Sequence, residues 1–158
     1  MPTDCTFQTD HGRFNYRVGA IILNKTKLLM AHNRSYNQYY TVGGRVKLHE
    51  TSEEAVFREI YEETGVKAEI DRLGFVQENF FKIDNAPYHE LSFFYYIKPF
   101  DYDLINFSSI KCDGDTEELR WVDLTDLPDE EFYPDFFKTE LLHPSDALKH
   151  FINREYTP

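Results

Sequence analysis

The sequence predicts an α/β fold in which a mixed sheet lies between helical layers. Three observations lead there. One amphipathic helix in the first half carries its own start and stop signals. Apolar or alternating segments of strand length flank it on both sides. Near the end, residues 133–142 and 145–153 read as two helical pieces separated by His143-Pro144, with Ser145 as the N-cap of the second.

Taken in order, residues 16–23 (YRVGAIIL) read as a buried strand, and 27–31 as its hairpin partner across Asn24-Lys25-Thr26. The polar and aromatic run NRSYNQYYTVGG then approaches Gly43 and Gly44, which permit a tight turn that presents a backbone carbonyl. Next comes the helix. Thr51 is its N-cap, and Glu54 completes a capping box. Glu53 and Glu54 occupy the first turn, where the helix dipole favours acids. Gly65 suits the left-handed stop, with Val66 as the apolar contact beyond. Residues 66–76 alternate like a strand. Residues 88–97 (YHELSFFYYI) form a second strong strand, with Leu91, Phe93, Tyr95 and Ile97 on one face. Between them, ENFFKIDNAPYH reads as a loop able to close over a substrate. Residues 119–124 make a short strand. The expected organisation is one domain over residues 1–158, with a core at about 16–142 and a C-terminal helical extension at 143–158.

Composition narrows the function classes. A formal net charge of −11 argues against general binding to nucleic acid or an anionic membrane. It leaves room for a small phosphorylated substrate, which a divalent cation and a few local Arg or Lys residues can neutralise. No apolar run approaches the ~20 residues of a membrane span, and no secretory leader is visible. Cys5 and Cys112 form no CxxC pair, as expected of a protein in a reducing cytoplasm.

The helix carries the chemistry. At about 100° per residue, Val56, Phe57, Ile60 and Tyr61 share one arc, and Glu59, Glu62 and Glu63 crowd the opposite one. Like charges at i, i+3 and i+4 repel, so a cation among them is the economical explanation. Hard oxygen ligands suit Mg²⁺ or Mn²⁺. Arg58, four residues before Glu62, is placed to brace it. A solvated acidic face is the competing explanation, and the residues ahead of the helix weigh against it. Gly44, five residues, Glu50, seven residues, then Arg58-Glu59-Ile60-Tyr61-Glu62-Glu63-Thr64-Gly65-Val66 is similar in full to the Nudix box. The chain resembles a Nudix hydrolase over roughly residues 16–142, although only the box is highly specific.

That resemblance implies a Nudix-like α/β/α sandwich and hydrolysis of a nucleoside diphosphate derivative by water attack on phosphorus. It implies Glu59, Glu62 and Glu63 as metal ligands, joined by the Gly43 carbonyl, with Glu59 doubling as general base in some members. Arg58 orients the carboxylates, Glu50 anchors the loop, and Gly44 and Gly65 are structural. A further acidic ligand comes from beyond the box, with Asp115, Glu117 and Glu118 as candidates. Arg34, Arg45 and Lys47 are candidates for phosphate contact, and Tyr39, Tyr40, Phe80, Phe81 and Tyr88 for stacking on a base. Family members are often homodimers. The chain departs from many members at Thr41-Val42, Lys47 and His49. A non-glycine at 49 implies ordinary backbone angles and a different loop path. Three rivals stay open: a nucleoside triphosphate pyrophosphatase, a non-catalytic nucleotide sensor, and a structural or interaction domain whose acidic helix is only a solvated face and whose thermal stability would not respond to Mg²⁺.

Overall fold

The computed structural model describes residues 2–107, 110–112 and 115–157, except for the side chains of 110–112, 115 and 116. Strands β1 (Thr6–Thr9), β2 (Gly12–Ile21), β3 (Leu23–Asn24), β4 (Lys27–Asn33) and β5 (Gln38–Arg45) precede helix α1 (Ser52–Thr64). After it come β6 (Ile70–Ile83), β7 (Ala86–Ile97), a 3-10 turn at Tyr102–Leu104, β8 (Ile110–Cys112) and β9 (Asp115–Asp123). The chain then forms β10 (Glu131–Phe132), a short helix α2 (Phe137–Glu140) and β11 (Lys149–Arg154). Across the sheet the order is β11-β6-β7-β2-β5-β4-β9-β8. The β2/β7 and β6/β11 pairs are parallel and the other neighbours antiparallel, so the sheet is mixed, as expected.

Each face of the sheet buries an apolar cluster. On one face Val18, Ala20, Val42, Tyr95 and Ile97 meet Ala55, Val56 and Ile60 of α1. On the other, Ile21, Leu28, Met30, Phe94 and Tyr96 meet Phe137 and Leu141 around α2. The strands therefore alternate between two cores, which is what a sheet covered on both faces requires. Among the described residues, no helix is long and apolar enough to cross a membrane.

Five expectations need correction. The C-terminal helical extension is a strand: β11 lies parallel to β6, with Lys149 opposite Phe75 and Arg154 opposite Phe80. Phe151 decides the matter physically, because its ring stacks on Phe136 at 4.3 Å while Ile152 points to solvent at 63% exposure. Ser145 still caps, since its Oγ accepts from the Ala147 N–H at 3.1 Å, but the chain bends there and continues as β11. The helix expected at 133–142 shrinks to Phe137–Glu140.

The loop expected at 78–89 is instead the continuous β6–β7 hairpin. Asp84 and Asn85 turn it with φ of 49° and 66°, the pair of positive angles that a two-residue type I′ turn requires. The hairpin expected at 24–26 joins only β3 to β4, whereas β2 runs between β5 and β7. Finally, Gly43 and Gly44 lie inside strand β5 rather than in a turn.

Candidate active site

Helix α1 has the expected ends. Thr51 Oγ1 accepts from the Glu54 N–H at 3.1 Å, and Glu54 Oε2 accepts from the Thr51 N–H at 2.8 Å. Gly65 stops it at φ 75°. The faces of the helix differ from the expected ones, because the seven-residue step from Val56 to Glu63 brings these two within about 20° of each other rather than opposite. Val56 and Ile60 are buried, but Phe57 and Tyr61 are 41% and 53% exposed. Glu59 and Glu63 turn inward instead, between Ala55, Val56 and Ile60 on the helical wheel. A helix that buries two acids and exposes two aromatics contradicts the hydrophobic preference, and such conflicts cluster at functional sites.

The glycine pair supplies the compensation. β5 pairs with β4 through residues 38–41 and with β2 through residues 42–45. At that changeover the Gly43 N–H is left to donate to Glu63 Oε1, at 3.0 Å. The Glu59 carboxylate lies directly over Gly44, where a Cβ would come within 2.7 Å of its Oε2. A Cβ on Gly43 (φ 156°) would come within 2.9 Å of Gly19 Cα. Both glycines are therefore demanded by close approach.

Arg58 ties the carboxylates to the loop. Its Nε and Nη2 donate to Glu50 Oε1 and Oε2 at 2.7 and 2.9 Å, a bidentate pair. Nη2 also donates to the Arg45 carbonyl at 3.0 Å. Nη1 donates to Glu59 Oε1 at 2.6 Å and to the half-exposed Glu62 at 3.3 Å. Glu50 Oε2 accepts from the Lys47 N–H as well, at 2.9 Å, so the loop is closed at both ends.

The charges are unequal. The Arg58 hydrogen bonds hold the Glu50 carboxyl below its ordinary range. Burial pushes Glu59 up against the opposing pull of Arg58. Burial pushes Glu63 well up, and the neighbouring Glu59 and Glu117 add to it against the Gly43 hydrogen bond. Glu63 Oε2 is buried without a hydrogen-bond partner. A buried carboxylate oxygen with no donor is costly, and a divalent cation with oxygen ligands is the group that such an atom fits. Among the described residues, no three His, Cys, Asp or Glu side chains already close on one point, and Glu62 leans toward Arg58. The donor set fits a hard cation, with Glu62 brought in from the rim.

The remaining candidates separate by strand alternation. Leu119 packs in the α1-side cluster, and Glu117, two residues earlier on β9, shares its side and is felt at Glu63. Glu118 points the other way, toward Arg34, Arg120 and His32. The side chain of Asp115 lies outside the described residues. Arg34 is engaged by Glu118, and Arg45 Nη1 lies 3.6 Å from Asp4. Tyr40 is near Glu117 and stacks with Tyr133 at 5.9 Å, whereas Phe81 stacks on Tyr88 at 5.1 Å near the hairpin turn. His49 corrects the expected loop path: at φ 71° it takes the left-handed angles that a glycine would take. One residue absent from the sequence-based candidates is Arg17, whose charge is felt at Glu59, Glu63 and Tyr40. Its signal was a lone cation in an apolar strand.

The family model for the NUDIX domain matches residues 13–139. The chain belongs to the NUDIX family. A Caenorhabditis elegans protein named as a nudix hydrolase is 30% identical, over 78% of this chain and 33% of its own length. The chain thus spans about a third of that relative. Among solved structures, a NUDIX hydrolase from Nitrosomonas europaea superposes with a TM-score of 0.62 at 18% identity, covering 89% of this chain and 79% of that one. A MutT protein from Bacillus halodurans gives 0.62 at 14% identity, covering 90% and 93%. An ADP-ribose pyrophosphatase from Streptococcus suis gives 0.57 at 14% identity, covering 88% and 98%. At such identities these likenesses establish a shared Nudix fold.

Proposed function

We propose that this NUDIX chain is a hydrolase that uses a divalent cation, Mg²⁺ or Mn²⁺, to cleave the pyrophosphate linkage of a nucleoside diphosphate derivative. The observation that carries the proposal is the Glu63 carboxylate, sealed against Gly43 with one oxygen unpartnered and Glu59 beside it. A non-catalytic sensor would gain nothing from burying two mutually repelling acids.

Glu59, Glu62 and Glu63 would hold the cation, with the Gly43 carbonyl and Glu117 completing the set. The cation would supply positive charge against the phosphoryl oxygens and lower the barrier to deprotonating the attacking water. The chain's own groups do the rest. Arg58 fixes Glu59 against the glycine pair, so its carboxylate cannot swing away from the reacting centre. Glu59 takes the proton as the water oxygen bonds to phosphorus and the bridging P–O bond breaks. The proton affinity that burial has raised suits a base. Glu50 keeps the loop from drawing Arg58 outward.

One structural relative is named for ADP-ribose, and at 14% identity that name does not choose a substrate for this chain. A panel of ADP-ribose, dinucleotides, nucleotide sugars and nucleoside triphosphates, with and without Mg²⁺, tests the proposal. Turnover should require Mg²⁺ and should fall by about two orders of magnitude or more in Glu62→Gln, whose exposed site leaves folding intact. Absence of turnover across the panel together with no Mg²⁺-induced thermal shift would refute it.

A further inference from the structure

Arginines are bound to neighbours almost everywhere in this protein. Arg13 donates to Gln8, Arg34 and Arg120 pair with Glu118, and Arg45 lies near Asp4. Arg58 holds Glu50 and Glu59, Arg72 pairs with Asp71, and Arg154 covers the Phe80 ring. Arg17 is the exception. It is half-buried in the middle of β2, and no hydrogen bond, ion pair or aromatic contact engages its guanidinium among the described residues. A half-buried guanidinium with five donors and no acceptor is unusual in a chain of net charge −11, where carboxylates are plentiful.

Its place in the register fixes how far along the sheet it stands from the glycine pair. Arg17 sits opposite Arg45, and the next two pairs are Val18 with Gly44 and Gly19 with Gly43. It therefore lies one step along the sheet from the glycine pair that receives Glu59 and Glu63. Burial raises the proton affinities of Glu59, Glu63 and Tyr40, and the Arg17 charge opposes that at all three. Arg17 is thus within electrostatic reach of the carboxylates without touching them.

We infer that Arg17 is the side chain that grips the substrate's pyrophosphate, holding non-bridging phosphate oxygens through its guanidinium fork while the carboxylates of α1 and their cation take the other side. Arginine suits the task because its paired N–H groups match two phosphate oxygens at once. The same logic removes the arginines that the sequence favours. Arg34 and Arg45 already have carboxylate partners, and recruiting either would first break an ion pair. The inference rests on the pyrophosphohydrolase reading above.

Imidodiphosphate, a non-hydrolysable P–N–P anion, is the probe, titrated calorimetrically into the whole chain with Mg²⁺ present. Wild type should bind it, and Arg17→Gln should weaken binding at least tenfold. Arg17→Lys should retain more affinity than Gln but less than wild type. Arg13→Gln should stay within twofold. The thermal shift caused by Mg²⁺ alone should be unchanged in Arg17→Gln, which separates gripping the anion from holding the cation. Should Arg17→Gln fail to fold, the Lys variant carries the test, with at least a threefold loss expected. Binding by Arg17→Gln within twofold of wild type overturns the inference and leaves the proposed function standing. If wild type shows neither imidodiphosphate binding nor a Mg²⁺ shift, the proposed function fails first and this inference falls with it.

Discussion

Glu63→Gln keeps the shape of a carboxyl sealed between α1 and β5 and removes its charge. In wild type without metal, one oxygen accepts from the Gly43 N–H at 3.0 Å and the other has no partner. The amide oxygen of Gln can keep the Gly43 bond, and the substitution removes repulsion from Glu59 and Glu117. Leaving a buried charged acceptor unsatisfied costs about 1–3 kcal/mol. For a chain of this length each kcal/mol shifts the melting temperature by about 2–4 °C. In EDTA at pH 8, Glu63→Gln should therefore melt about 2–12 °C above wild type.

The pH dependence carries a definite sign. Burial raises the Glu63 proton affinity in the folded state above its ordinary 4.5. Below 4.5 the carboxyl is neutral in both folded and unfolded chains, and the two proteins should agree. As pH rises through the folded value, wild type loses stability and the Gln variant does not, so the gap opens and then levels off. Saturating Mg²⁺ should reverse the order at pH 8, since a ligand at a hundred times its Kd adds about 2.7 kcal/mol to the protein that binds it. Differential scanning fluorimetry from about pH 3.5 to about pH 8.5 reads all of this. An apo Gln variant less stable than wild type at pH 8, or a gap independent of pH, would refute the reasoning.

Other consequences attach to single positions. Gly44→Ala places a methyl within 2.7 Å of Glu59 Oε2, and turnover on any panel substrate should drop about 100-fold or more while the fold survives by circular dichroism. His49→Gly relieves a left-handed angle of 71°; it should raise stability by up to about 1 kcal/mol in chemical denaturation, net of the added unfolded-state entropy. Phe151→Ala should cost about 2–3 kcal/mol through loss of its stack on Phe136, whereas Ile152→Ala should cost under about 0.5 kcal/mol. Equal costs at 151 and 152 would contradict the strand assignment of β11.

Legibility in the sequence tracked the locality of the physics. The ends of α1 were readable because the Thr51–Glu54 box and Gly65 act within one turn of chain. The expected opposition of the acidic and apolar arcs fails on the wheel itself, where Glu63 lies about 20° from Val56; what the sequence could not show is the Gly43 N–H, some twenty residues away, that receives Glu63. The site residues were named by their pattern, yet why Gly44 must be glycine appears only when Glu59 is seen lying over it. Glu117 and Glu118 look alike in sequence and part company once Leu119 fixes which side of β9 is inward. Residues 145–153 suggested a helix because Ser145 does cap locally. The open edge of β6 and the Phe136 ring, both distant in sequence, turned the segment into a strand instead. The Asp84-Asn85 turn was legible in principle, but the aromatic run around it concealed a hairpin that continues both strands.

The central claim is that α1 turns Glu59 and Glu63 inward to hold a divalent cation. A calorimetric Mn²⁺ titration of wild type against the Glu59→Gln/Glu63→Gln double variant tests it most directly. The account predicts saturable binding by wild type and at least a 100-fold loss in a double variant that remains folded. Undiminished binding by the double variant, or no binding by wild type, would contradict it.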